Sequence, residues 1–291
     1  MKGVLAYTMK DMNEERKKQN ISSNIDVSNY KDSETEKMLQ RIKKFRLLDD
    51  DFMIVCFENN IEATELVLSI ILEKPDIIVK TVQTQYTMKN IKGRSVRLDI
   101  YATDADNKKY NIEIQRADKG AGAKRARYNS SLIDSNIIPA GSDIEDLPET
   151  FVIFITENDV LGKGKSIYHI NRYIEEIGEY FNDGSHIIYV NAATTEKTAL
   201  GQLMSDFRAT TADEMKNKVL ADTVRHFKED EEGVSVMCKI MEEVKAEGEI
   251  IGKVKLLYQD FGMSISDIAI KLRISNEEVE KIVKEEILCV K

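Results

Sequence analysis

The chain has 291 residues, 42% of them hydrophobic and 32% charged, with a formal net charge of −9 and a pI near 5.2. Those values describe a soluble, helix-rich globular protein rather than a disordered chain, with enough length to bury a core, and they argue against a generic nucleic-acid coat protein. No stretch approaches the ~20 apolar residues of a membrane span, and the segment from Met1 to Met12 lacks a signal peptide's sustained apolar region. Cys56, Cys238 and Cys289 lie far apart without paired spacing, which points to free thiols in a reducing cytoplasm.

Residues 1–44 are polar and poor in large apolar groups, with Ser22-Ser23-Asn24 and Ser28-Asn29 as loop signals. They read as an arm ending in a helix over 33–44, where Ser33 and Glu36 have the spacing of a capping box. The core begins near Phe45. A helix over 61–72 is stopped by Glu73-Lys74-Pro75, and a strand over 77–82 follows. Two strands ending at Gln115 come next, then a basic helix over 124–136 and a buried strand over 151–155. A helix near 167–177 and a strand over 187–190 complete the alternation of an α/β sandwich.

Beyond about residue 200 the pattern turns helical and acidic. Apolar residues recur at helical spacing from Met237 to Tyr258, Phe261-Gly262 reads as a stop, and Ser264 to Val283 reads as two short helices. Ser275 begins the second, with Glu278 three residues on. The organisation is thus an arm over 1–44, a mixed α/β domain over 45–210 and a helical extension over 211–291.

The stretch 97–115 is the most informative. Leu98, Ile100, Ile112 and Ile114 alternate with Asp99, Glu113 and Gln115, and Asp104, Asp106 and Asn107 supply turn chemistry between two strands. Glu113 and Gln115 share a sheet face, and Asp99 joins them if the strands pair in the obvious register. Two carboxylates and an amide on one face suit a hard divalent cation, which takes oxygen ligands and keeps several waters. Basic residues cluster just after this point, at Arg116, Lys119, Lys124, Arg125 and Arg127, as phosphate contact requires. For any one of them alone, a solvated helix face is the simpler reading.

This order of motifs resembles the PD-(D/E)XK nuclease superfamily, and within it the branch of transposases and recombination-promoting nucleases. The run Phe57 to Leu72 is similar to the family's opening core helix, with Glu65 beside its apolar face. The run Lys124 to Asp134 is similar to its basic helix, Leu147 to Thr156 to the next buried strand, and Asp183-Gly184 with Ile187 to Asn191 to the last. Leu98 stands where the superfamily name has proline, and Gln115 stands where it has lysine. Glutamine can orient water by hydrogen bonding but brings no charge.

The resemblance implies a restriction-endonuclease-like mixed-sheet sandwich flanked by helices, with a mostly helical C-terminal extension. It implies a metal-dependent DNA endonuclease in which Asp99, Glu113 and the Ile114 backbone carbonyl hold Mg²⁺, with Mn²⁺ as a substitute. Gln115 would orient water, and Glu65, in preference to Glu62, would support the metal through a water. Lys124, Arg125, Arg127 and Tyr128 would contact nucleic acid, although a tyrosine there could equally pack its ring into the sheet.

His169, His186 and His226 have no ligand spacing, and neither a Gly-x-Ser-x-Gly elbow nor a glycine-rich phosphate loop is present. The terminal helix pair resembles a helix-turn-helix, but its second helix is acidic where it would meet phosphate, so a packing or dimer-forming unit is preferred. Self-association through these helices is the expectation, and no membrane partner is expected. The rival functional class is a catalytically silent nucleic-acid- or partner-binding protein on the same fold. In a further reading the C-terminal helices are the functional element, carried on the sandwich as a scaffold.

Overall fold

Alternating branched and aromatic residues place a hairpin inside the main sheet. The computed structural model describes residues 33–90, 93–116 and 118–288. The arm before residue 33, the Ser33 side chain with its capping box, the Lys119 side chain and Cys289 lie outside the described residues. The helix expected at the end of the arm is α1, Ser33–Lys44. Strands β2 (Val96–Asp104) and β3 (Lys109–Gln115) pair antiparallel from Thr103↔Lys109 to Ile100↔Ile112.

The turn between these strands is built by Asp104. Its carboxylate accepts the amides of Asp106 (3.0 Å) and Lys108 (2.8 Å) and the Tyr110 hydroxyl (2.6 Å), and Asn107 takes the left-handed conformation at φ 63°. Because Asp104 and Tyr110 are buried, Asp104→Ala removes three bonds and strands a hydroxyl. A loss of roughly 3 kcal/mol in urea unfolding is expected.

Strand β1 (Val79–Met88) pairs antiparallel with β2, extending well past the expected 77–82. Strand β3 pairs parallel with β4 (Thr150–Thr156), which pairs parallel with β8 (Ser185–Asn191). A parallel neighbour needs a crossover, and the basic segment supplies it as the helix Ala123–Ile137. The six-stranded sheet has the order β1-β2-β3-β4-β8-β5. Every residue of β4 is buried, as expected where both sheet faces are covered. On one face Val152, Phe154 and Tyr189 pack against Ala126 and Ile133 of the crossover helix.

Helices α2 (Asp50–Phe57) and α3 (Ile61–Ile71) pack against β1 and β2. With the crossover helix numbered α4, helices α5 (Ala199–Arg208) and α6 (Lys218–Glu229) pack against α3, and Phe207 meets the Phe57 ring at 6.2 Å. Helix α2 is a short apolar run after its first turn, so it offers little periodicity to read. Lys228 of α6 is buried beside it. Its ammonium donates to the carbonyls of Lys43, Phe45 and Thr210 and sits 5.0 Å from the Phe52 ring.

One expected element is replaced. The helix near 167–177 is instead strand β5 (Ile167–Ile170) and a small hairpin of β6 (Tyr173–Ile174) and β7 (Glu179–Tyr180). Isoleucines and tyrosines three or four residues apart imitate a helical stripe there, but their branched and aromatic side chains suit strands. Pairing of Ile167 with Val190 and Ile170 with Ile187 uses the open edge of β8.

The structure forms two compact units that divide between Val234 and Ser235. In the second, the greater part of α7 (Glu231–Lys255) leads into a π-helical turn over Leu256–Asp260, then α8 (Ile265–Leu272) and α9 (Asn276–Ile282). Val254, Leu257, Ile268, Val279 and Val283 form its core. Ser264 and Ser275 cap the short helices by accepting the amides of Asp267 (3.2 Å) and Glu278 (3.1 Å). Among the described residues no helix is long and apolar enough to cross a membrane.

Candidate active site

The β2–β3 ladder ends at Ile100↔Ile112, and the next facing positions are Asp99 and Glu113. Beyond that pair the Ile114 amide donates to Asp99 Oδ2 at 3.0 Å, so a carboxylate takes the place of a ladder carbonyl. The Gln115 carbonyl accepts from the Glu157 amide on the β4 side. Strand alternation therefore turns the Ile114 carbonyl toward β2, the side on which Asp99 lies.

Glu113 is 0% exposed. Its Oε2 accepts from the Arg125 guanidinium at 2.8 Å, while Oε1 is buried without a hydrogen-bond partner. Asn111 on the same strand face and Asn129 of α4 are also buried with unpartnered amide atoms. Burial pushes the Asp99 carboxyl up to about 7, and the negative charges of Glu113 and Asp50 add to the rise. Burial raises Glu113 as well, against the pull of Arg125. Two facing carboxylates that resist ionising together, with one oxygen unsatisfied, suit a divalent cation. Among the described residues no three His, Cys, Asp or Glu side chains form a ready cage. Mg²⁺ does not need one, since it binds through one or two carboxylates and retains water.

Sequence reasoning missed Asp50. It lies in the first turn of α2, where burial raises its carboxyl against the charges of Arg116, Arg97 and Arg125. With Asp49, Asp51, Ile114, Gln115 and Arg116 it lines a cavity of about 360 Å³. The signal was the Asp49-Asp50-Asp51 run itself, which marks a helix start but not its direction. Arg116 closes part of the rim by pairing with Asp49 (2.8 Å) and Glu157 (3.4 Å), and Arg46 bonds the same two acids.

Other expected residues fall elsewhere. Glu65 accepts the Val79 amide at 2.8 Å and so fastens the start of β1. Val79 pairs with Asp104, five residues along β2 from Asp99, which is roughly 16 Å at the rise of a strand. The structure therefore does not bring Glu65 to the carboxylate pair, and Glu62 is exposed on the same helix. The hydroxyl of Tyr128 donates to the Arg94 carbonyl (2.5 Å) and accepts from Asn90 (3.1 Å), tying α4 to the β1–β2 connection. Lys124 and Arg127 are exposed, whereas Arg125 turns onto Glu113.

Gln115 reaches the cavity over Gly120, where an added Cβ would stand 1.8 Å from its amide oxygen. Gly120→Ala is therefore expected to displace the Gln115 side chain and lower any metal-dependent cleavage about tenfold, a barrier change of ~1.4 kcal/mol. Comparison with Gln115→Ala checks this, since the two losses should not add.

The model of the PD-(D/E)XK nuclease family transposase matches residues 54–250, which include Asp99, Glu113 and Gln115 and begin just after Asp50. No curated protein and no solved structure matches the chain. With well over half its length matched, and a mixed six-stranded sheet presenting two facing carboxylates, the chain belongs to the PD-(D/E)XK nuclease family transposases.

Proposed function

We propose that this protein is a divalent-metal-dependent DNA endonuclease, and that Asp99, Glu113 and the Ile114 carbonyl hold Mg²⁺, or Mn²⁺ in its place. The observation that carries the reading is the half-buried Asp99 facing the buried Glu113, with a partnerless Glu113 oxygen, beside an open cavity. A bound divalent ion supplies polarisation of a phosphoryl oxygen and a bound water of lowered pKa. Asp99 and Glu113 set its charge balance, and Gln115 orients the attacking water by hydrogen bonding. Asp50 takes the supporting position that Glu65 does not occupy. Arg125 neutralises Glu113 and, with 43% of its side chain exposed, stands where a flanking phosphate would approach. Lys124 and Arg127 extend that basic flank.

DNA recombination or mobile-element biology is the setting that the family description supports, and free Cys56 and Cys238 fit a reducing cytoplasm. The C-terminal helices serve packing or self-association, for which the exposed Ile270 (78%) and Phe261 (68%) offer apolar contact.

One observation favours the silent, binding-only alternative: the Arg125–Glu113 pair already partners one carboxylate oxygen. Incubation of supercoiled plasmid with the protein and Mg²⁺ or Mn²⁺ separates the two readings. Nicked or linear product that disappears with chelator supports the nuclease. Folded protein that binds metal and DNA without cutting supports the alternative.

A further inference from the structure

We propose that Lys163 and Lys165, on the loop between β4 and β5, grip the phosphate backbone of the DNA strand that crosses the site, on its β8 side. The inference rests on the nuclease reading of Asp99 and Glu113. Sheet register locates the loop. Gln115 at the end of β3 pairs with Thr156 of β4, and Thr156 pairs with Asn191 of β8. The Asn191 amide donates to the Ser166 carbonyl at 2.9 Å, and its side chain donates to the Lys165 carbonyl at 3.3 Å. Lys165 therefore stands three strand spacings from Gln115 along the same sheet edge, roughly 14 Å. That span corresponds to roughly four nucleotides at the 3.4 Å axial rise of one duplex strand.

The loop is held in shape from inside. The Asp159 carboxylate accepts the amides of Leu161 (3.2 Å), Gly162 (3.1 Å) and Gly164 (2.7 Å), and the Tyr168 hydroxyl at 2.8 Å. That hydroxyl in turn accepts the amides of Lys163 (3.2 Å) and Lys165 (3.1 Å). Gly162 and Gly164 adopt φ values of 63° and 71°, the left-handed conformation that glycine takes without strain. Two lysines alternate with these glycines on a backbone that loses little freedom when a ligand binds.

Charge selects the ligand. Arg46, Arg116 and Arg125 along the same edge are engaged by acids. Among the described residues neither lysine has an ion-pair partner, and both are exposed. In a chain of net charge −9, such unneutralised cations are where a polyanion gains most. Arg97, exposed on β2, and Lys124 and Arg127 on α4 supply the opposite flank.

The test measures binding of a fluorescent DNA duplex by the full-length Asp99→Asn protein without metal, across a salt series. The same protein carrying Lys163→Ala and Lys165→Ala is compared. The expected result is about tenfold weaker binding near 0.1 M salt and a log–log salt slope shallower by about 2. Lys163→Arg with Lys165→Arg should restore both, and an unchanged melting temperature shows that the loop variant is folded. Equal affinity and slope overturn the proposal, and so does an absence of DNA binding. Plasmid cleavage by the wild-type protein reports on the nuclease reading separately. Cleavage alongside unchanged loop-variant binding removes the lysines and keeps the nuclease. A loop-dependent loss of binding without any cleavage keeps the lysines and removes the nuclease.

Discussion

Asp99→Ala and Glu113→Ala are each expected to abolish nicking of supercoiled plasmid, while both proteins remain folded. Loss of one group that stabilises developing transition-state charge lowers rates by about 10²–10³-fold in comparable centres, and a metal ligand should be at the upper end. Folding should survive, because each change removes one of two carboxylates whose burial already opposes ionisation. The isosteric variants sharpen the distinction. Asp99→Asn keeps an oxygen that can accept the Ile114 amide, and Glu113→Gln keeps an oxygen for the Arg125 guanidinium. Loss of cleavage in both isosteres, with melting temperatures equal to or above wild type, identifies lost carboxylate charge as the cause. Retained cleavage in either one would remove that residue from the metal site.

The second large effect is on stability. Burial and the facing Glu113 push the Asp99 carboxyl up to about 7 in the folded protein, against about 3.9 in an unfolded chain, so the native state binds the proton more tightly. The stabilisation is fully present below pH ~4 and is lost as pH rises through ~7. A fully buried group shifted this far would be worth ~4 kcal/mol. Asp99 keeps some solvent contact, and screening reduces the expectation to about 2 kcal/mol. In chelator, wild-type protein should therefore melt lower at pH 8 than at pH 5.5, and Asp99→Asn should flatten that dependence. Mg²⁺ or Mn²⁺ should raise the wild-type melting temperature more at pH 8, where no proton competes for the carboxylate. Differential scanning fluorimetry of the two proteins across this range decides the matter. A profile identical for wild type and Asp99→Asn would contradict the raised carboxyl.

The hairpin could be read from the chain because Leu98, Ile100, Ile112 and Ile114 mark one face, and the turn residues from Asp104 to Asn107 fix how the two strands meet. The buried strand Thr150–Thr156 was equally plain, since an unbroken run of apolar residues suits a position between two layers. Helix α2 was not legible, and its acid Asp50 was missed with it. A short segment enclosed on most sides carries no amphipathic stripe. The segment 167–177 failed for the opposite reason, since its apolar spacing imitated a helix while an open strand edge decided the outcome. Glu65 and Tyr128 show a limit of another kind. Residue type and spacing suggested a functional role, but a backbone amide at Val79 and a carbonyl at Arg94 engage their polar atoms. Such partners come from distant segments and leave no local trace.

Lys228 bears on how far this structure can be shortened. Its single ammonium joins the carbonyls of Lys43 and Phe45 to that of Thr210, bridging positions up to 185 residues apart along the chain. The carbonyls of Lys43 and Phe45 precede α2, so the helix carrying Asp50 is clasped by a side chain that arrives long after strands β2 and β3 have been synthesised. A minimal fragment therefore has to reach from α1 through the end of α6. During translation this clasp on the entry to α2 can close only after Lys228 has left the ribosome.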